Sequence, residues 1–259
     1  MKILMIGDIV GKPGRDAIKH MLSGLIEKSN IDFVVANGEN AAGGSGLTPV
    51  ICDELFSYGI DVLTSGDHIW KKRDIYDYMD MSSSVLRPLN YPDNNPGKGY
   101  TVKQTKKGVS VGVINIIGRV FMNPADNPFE KILEVIKELS GSVKVIVVDF
   151  HAEATSEKIA MGYFLDGKVS AIIGTHTHVQ TADETILEQQ TAYITDIGMT
   201  GPFSGVIGRN KNAILERFIT QMPTRFEMAE NDVRINGVLI DVDEKTGKAR
   251  TIERINKKL

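Results

Sequence analysis

The chain carries only five histidines, and four of them stand just after short apolar runs that read as strands. His68 follows IDVLTS, His151 follows KVIVVDF, and His176 and His178 follow VSAIIG; His20 lies inside a helical pattern and reads as structural or solvated. An H-x-H at a strand end can aim both imidazoles at one cluster, because side chains two apart on an extended backbone share a face. Acidic and amide groups occupy the same kind of position: Asp8 after KILMIG, Glu39 and Asn40 after IDFVVA, and Asp67 beside His68. Imidazole mixed with carboxylate and amide oxygen suits Fe, Mn, Zn or Co, whereas an all-oxygen shell suits Mg or Ca. Asp8, Glu39, Asn40, Asp67, His151, His176 and His178 exceed what one tetrahedral site takes. A carboxylate such as Glu39 can serve two cations at once, and two divalent ions about 3.5 to 4 Å apart sharing a hydroxide are equipment for attack on phosphorus.

Each piece alone has a plainer reading. An Asp in GDIVGKPG is ordinarily a turn or cap residue, and NGENAAGGSG is ordinarily a Gly-rich surface loop. The spacing G-x-x-x-G-x-x-G is not a dinucleotide fingerprint. Convergence changes the balance, because ligand sites in open α/β sheets gather beyond the carboxyl ends of the strands, and here five strands end in polar groups.

Those strands belong to an α/β pattern of β-branched runs alternating with helical spacing. KILMIG (2 to 7), IDFVVA (31 to 36), IDVLTS (60 to 65), KVIVVDF (144 to 150) and VSAIIG (169 to 174) are expected strands. Helices are expected from Arg15 to about Lys28, from Pro49 to about Tyr58 with Thr48 as cap and Gly59 as stop, from about Pro128 to Leu139, and near 156 to 164. YTVKQT with VSVGVINII, and VRINGVLIDVD with KARTIERI, read as hairpins. The Ser, Pro, Asn and Gly content of Met81 to Gly99 predicts a long irregular surface loop that could shape an entrance.

With 42% apolar and 24% charged residues, the chain can bury a large core, and no linker divides it, so one domain over 1–259 is expected. Neither a signal-peptide core nor a membrane span is visible, which points to the cytoplasm. The single cysteine, Cys52, reads as a buried small hydrophobe. A net charge of -3 with mixed signs offers no basic field for long nucleic acid, while a small anionic ligand remains compatible with a local metal charge.

Taken in order, GDIVGKPGR, NGENAAGGSGLT, TSGDHIW, RPLNYP, VDFHAEATSEK, GTHTHVQTAD and TDIGMTGP span nearly the whole chain and resemble the YmdB-type bacterial metallophosphoesterases. The resemblance implies a calcineurin-like four-layer α/β/β/α sandwich, a di-iron site, assembly into homo-oligomers, and hydrolysis of 2′,3′-cyclic nucleotides at the 2′ ester. It further implies that Asp8, Glu39, Asn40 and His178 hold one metal, and that Glu39 bridges to a second held by Asp67, His151 and His176. His68 would be the general acid. The family pattern after the third strand is Gly-Asn-His, and this chain has Gly66-Asp67-His68. That extra charge keeps a second reading in play, a metal-containing regulatory protein that binds a nucleotide or partner and turns substrate over weakly. A phosphomonoesterase on the same site is a third.

Overall fold

The computed structural model covers residues 1–259 and contains two sheets and six α-helices. In the first sheet, β1 (Lys2–Ile6), β3 (Phe33–Asn37) and β4 (Val62–Thr64) run parallel. β12 (Val233–Val242) joins β1 antiparallel, with β13 (Ala249–Lys258) paired to it; β11 (Met199–Pro202) also lies against β12, and β2 (Asp8–Ile9) pairs with β11. The second sheet runs β5-β6-β7-β8-β10-β9, with parallel β6 (Ser110–Ile117), β7 (Val145–His151), β8 (Ala171–Thr175) and β10 (Ala192–Ile194) between antiparallel edges β5 (Tyr100–Gln104) and β9 (Thr185–Ile186).

The period of two along each strand explains how the sheets are covered. Ile3 and Met5 of β1 join Phe33, Val35, Val62, Val238 and Ile240 in a core completed by Val111, Val113, Val147, Ala171 and Ile173 of the second sheet. The alternate residues Leu4, Ile6, Val34 and Ala36 meet Ala17, Ile18 and Leu22 of α1 (Gly11–Ser29) and Leu55 of α2 (Pro49–Ser57). On the other side, Ile114, Ile146, Val148 and Ile172 meet Ile132 and Leu139 of α4 (Pro128–Leu139) and Met161 and Leu165 of α5 (Thr155–Leu165). Strands buried on both faces read as continuous apolar runs.

Several expectations need correcting. α1 begins at Gly11 rather than Arg15: Gly11 adopts φ +61, and Gly14 passes so near the Thr200 carbonyl that a Cβ there would lie 2.5 Å from it. Thr48 precedes α2 in an extended conformation, but its side chain makes no capping hydrogen bond. The 81–99 segment is not a surface loop throughout. Val85, Leu86, Arg87, Asn90 and Tyr91 are buried, and Leu86 donates to the Leu63 carbonyl at 2.8 Å, extending the sheet past β4. Its polar composition hid an apolar pair that enters both cores. The segment's start overlaps a short helix, α3 (Ile75–Met81), and a further unexpected helix is α6 (Lys211–Thr220). No helix is long and apolar enough to cross a membrane.

Cys52 is fully buried on α2. Burial, with a smaller push from Asp53, raises its thiol to about 12. The native chain should therefore resist alkylation by iodoacetamide at pH 8 and react only on unfolding; stoichiometric labelling of native protein would contradict this.

Candidate metal centre

The seven sequence-predicted donors and His68 converge where β1, β3, β4, β7 and β8 end. One atom from each of Glu39, Asp67, His151 and His176 lies within 4.8 Å of the others. The His151 Nε2 is 3.4 Å from both Glu39 Oε2 and Asp67 Oδ1, and the His176 Nδ1 is 3.0 Å from His151 Nε2. The remaining residues sit on the other side of Glu39: Asn40 donates from Nδ2 to Glu39 Oε1 at 3.0 Å and lies 3.2 Å from His178 Nε2, while its Oδ1 meets His68, and His178 Nε2 is 3.8 Å from Asp8 Oδ1. Glu39 is thus the carboxylate common to two donor sets. Gly66 makes this approach possible, since a Cβ there would collide with His151 Nε2 and Glu39 Oε2.

His68 lies at the rim of this cluster. Its Nδ1 is 2.7 Å from Asn40 Oδ1 and 3.4 Å from Glu39 Oε1, and its backbone N–H donates to Glu39 Oε2 at 3.2 Å. Hydrogen bonding to the Glu39 carboxylate raises the His68 pKa against the opposing effect of burial. The Nδ1 contact leaves Nε2 as the nitrogen facing outward from that bond.

The H-x-H pair converges by a route other than the expected one. β8 ends at Thr175, and His176 and His178 adopt φ 98 and φ 66, so neither is extended. Left-handed backbone at non-glycine residues is uncommon and persists where the surroundings fix it. Here it sends His176 to the Asp67 and His151 side and His178 to the Asp8 and Asn40 side.

Behind the donors is a buried polar layer that sequence reasoning missed. Asp149 accepts from Thr175 Oγ1 at 2.6 Å, from Thr64 Oγ1, and from Asn37 Nδ2 at 3.1 Å. With the Thr175 hydroxyl committed to Asp149, its oxygen can accept from His151 Nδ1 at 3.0 Å, which turns Nε2 toward Glu39 and Asp67. The only signal was a carboxylate inside the apolar run VIVVDF.

The electrostatics describe a site short of positive charge. Burial drives His151 down, but Glu39, Asp67, Asp8 and Asp149 outweigh it and raise the imidazole to about 10. Burial would raise Glu39 and Asp67, yet both are held low, Glu39 at about 2, chiefly by His151. Burial raises Asp8, lowers His178, and with His151 beside it lowers His176 to about 4. No Lys or Arg ranks among the leading influences on these carboxylates. The buried Oδ1 atoms of Asp8 and Asp67 have no hydrogen-bond partner. Unpaired carboxylate oxygens and clustered imidazoles, with no Lys or Arg beside them, are what metal ions would satisfy, so the donor set fits them.

An α/β protein whose parallel strands end in such a cluster has the makings of a metal-dependent hydrolase. The chain belongs to the YmdB-like family, whose model, described as YmdB-like protein, matches residues 4–255. It is 49% identical over 255 residues to the 2′,3′-cyclic-nucleotide 2′-phosphodiesterase of Bacillus subtilis (strain 168), covering 98% of this chain and 96% of that protein. It is 36% identical over 262 residues to a putative phosphatase/phosphodiesterase of Mycoplasma pneumoniae, covering 98% and 92% respectively. Among solved structures it is similar to a hypothetical protein from Thermus thermophilus, with TM-score 0.93, 37% identity, and 100% and 99% of the two chains covered. A novel phosphatase from Mycoplasma pneumoniae gives TM-score 0.93 at 36% identity, covering 100% of this chain and 93% of that one.

Proposed function

We propose that the chain is a two-metal hydrolase of phosphodiesters that opens 2′,3′-cyclic nucleotides at the 2′ ester and leaves the 3′-nucleotide. The observation that supports this most is the meeting of two donor sets at Glu39, in a chain half-identical to the Bacillus subtilis phosphodiesterase. The three stacked cores support a calcineurin-like α/β/β/α sandwich acting as one domain. A cytoplasmic location and a homo-oligomeric assembly complete the proposal.

Asp8, Glu39, Asn40 and His178 would hold one ion, and Glu39, Asp67, His151 and His176 the other, with iron first and Mn or Zn as alternatives. When bound, such ions supply Lewis acidity toward phosphoryl oxygens and lower the pKa of water. The chain's own residues do the rest. Glu39 holds the two donor sets in one frame, and the Asp149–Thr175 pair orients the His151 ring so that Nε2, once its proton is displaced, would face its ion. Asn40 orients His68 through Nδ1, leaving Nε2 to protonate the departing 2′ alkoxide.

Elemental analysis of protein purified without chelator should find two transition-metal ions per chain, and chromatography should identify the 3′-monophosphate as product. Full activity with one ion or none would remove the two-metal reading, and exclusive formation of the 2′-monophosphate would reverse the ester assignment. Initial rates on cyclic diester, linear diester and monoester separate the phosphomonoesterase and weak-turnover readings.

Asp67 favours an electrostatic effect on turnover. It is held ionised by its histidine neighbours, chiefly His151, and its Oδ1 is unpartnered, so its charge is available to an ion. More ligand charge tightens cation binding and weakens Lewis acidity. Asp67→Asn should release metal to chelator more readily than the wild type and raise kcat/KM on a cyclic nucleotide. A variant that keeps its metal and loses activity would make Asp67 a participant in the chemistry.

A further inference from the structure

We propose that Lys158 and Asp196 are positioning residues, a buried ionic clamp that acts through Thr177 to hold His176 and His178 in the geometry of the metal centre. The inference rests on the metal reading for its functional meaning, and on hydrogen bonding and backbone conformation for its structure.

Lys158 of α5 and Asp196 of the loop between β10 and β11 are both fully buried, with Nζ and Oδ2 2.7 Å apart. A buried ion pair seldom adds net stability, because both charges are desolvated and an apolar pair of similar volume would serve as well. Its retention therefore asks for a purpose, and the other partners of Asp196 supply one. Asp196 Oδ2 also accepts from the Thr177 backbone N at 3.1 Å and from the Thr177 Oγ1 at 2.7 Å, and Oδ1 accepts from Gly198 N at 2.8 Å. On its own backbone, Asp196 exchanges bonds of 3.0 Å with Thr181, one from Thr181 N to its carbonyl and one from its N to Thr181 Oγ1. The carboxylate is thus anchored on three sides and grips the middle residue of His-Thr-His.

That grip falls where the backbone needs it. His176 and His178, at φ 98 and φ 66, flank Thr177 in a region that L side chains avoid unless neighbours impose it. Outside this clamp, the Thr177 backbone N–H and hydroxyl have no other acceptor. Gly174 completes the device. A Cβ there would collide with the Thr195 carbonyl and lie 3.1 Å from Lys158 Cδ, so glycine lets the strand end pass close to both the Thr195 backbone and the lysine stem.

A merely structural pair would change melting temperature alone, whereas a positioning pair changes metal retention and the imidazoles themselves. The discriminating variants of the full chain are Thr177→Val, which loses the hydroxyl donor but keeps the backbone donor, and Thr177→Ser, which keeps both. Metal-loaded Thr177→Val should lose metal to EDTA about tenfold faster than wild type, as expected when a supporting partner of a ligand is removed. Thr177→Ser should hold it at the wild-type rate. Lys158→Met should lose metal faster still; if it does not fold, the threonine pair decides. In the metal-free chain, the imidazole NMR signals of His176 and His178 should shift in Thr177→Val while that of His20 stays fixed. Unchanged metal release or unchanged imidazole signals in Thr177→Val would overturn the clamp, as would Thr177→Ser behaving like Thr177→Val. If wild-type protein takes up no metal, the metal reading falls and the imidazole signals alone decide the clamp.

Discussion

Replacing Glu39 with glutamine should leave a folded chain that retains neither metal ion and loses activity by well over the roughly 10 to 100-fold typical of an outer-shell partner. The expectation follows from where this side chain stands. Glu39 lies between the Asp67, His151 and His176 donors and the Asp8, Asn40 and His178 donors, so a change there reaches both sets. Glutamine matches the shape and can still accept from the His68 backbone N–H, now held at 3.2 Å. It cannot bridge as an anion, and it removes the largest of the influences that keep His151 charged against burial. A neutral amide therefore leaves the framework and takes away the shared charge. His20→Ala is the control, because His20 is exposed on α1 with its Nδ1 2.7 Å from the Asp16 carbonyl, remote from the donors in the fold. Elemental analysis and circular dichroism on the same samples check both points. A Glu39→Gln variant that keeps both ions would show that the two donor sets are not joined through this carboxylate.

Most of the donors were legible in the sequence because they obey a rule of architecture. A parallel strand buried on both faces is a recognisable apolar run, and the polar residue that ends it marks the carboxyl edge of the sheet. Asp8, Glu39, Asp67 and His151 all lie at or just beyond such ends. What supports them was not legible. Asp149 and Lys158 are buried charges whose partners come from residues 26 and 38 positions away, and spacing along the chain carries no trace of such pairings. The His-Thr-His segment misled in detail for a related reason: extended alternation is a local expectation, while the left-handed turns at His176 and His178 depend on a carboxylate arriving from another loop. In the 81–99 segment, prolines and asparagines outnumbered the apolar pair Val85 and Leu86, yet that pair determines where the segment packs.

The same layering explains why the centre can be both charged and rigid. Carboxylates at Asp8, Glu39 and Asp149 are buried to within 1% exposure, a costly placement unless each is bonded or neutralised. Asp149 meets that cost with hydroxyl and amide donors, whereas Asp8 retains an oxygen that no protein group satisfies. Asp149 thus has its bonds completed by the protein, whereas Asp8 and Asp67 among the donors each keep a buried oxygen without a partner.

His68→Ala should lower kcat by about 10² to 10⁴-fold on substrates whose leaving group is an alkoxide, with metal content unchanged. The side chain is not needed to complete either donor set, and it is about one-third exposed, so it can meet a substrate that approaches from solvent. Its protonation is favoured by hydrogen bonding to Glu39 and by the charges of Glu39 and Asp67, which together overcome partial burial. An imidazole raised in this way carries its proton to higher pH, as an acid acting near neutrality requires. Asn40 Oδ1, at 2.7 Å from Nδ1, holds the ring and leaves Nε2, 3.9 Å from Asp67 Oδ2, as the nitrogen without a hydrogen-bond partner. The decisive contrast is the leaving group. A 2′ alkoxide departs badly without a proton, whereas a nitrophenolate leaves as a stable anion, so bis(p-nitrophenyl) phosphate should suffer far less than a 2′,3′-cyclic nucleotide in the same variant. The alkaline limb of the kcat profile on the cyclic substrate should also disappear in His68→Ala, because the group whose deprotonation ends activity has been removed. Equal losses on both substrates with both metals retained would mean that His68 orders the site through Asn40 and Glu39 rather than delivering a proton.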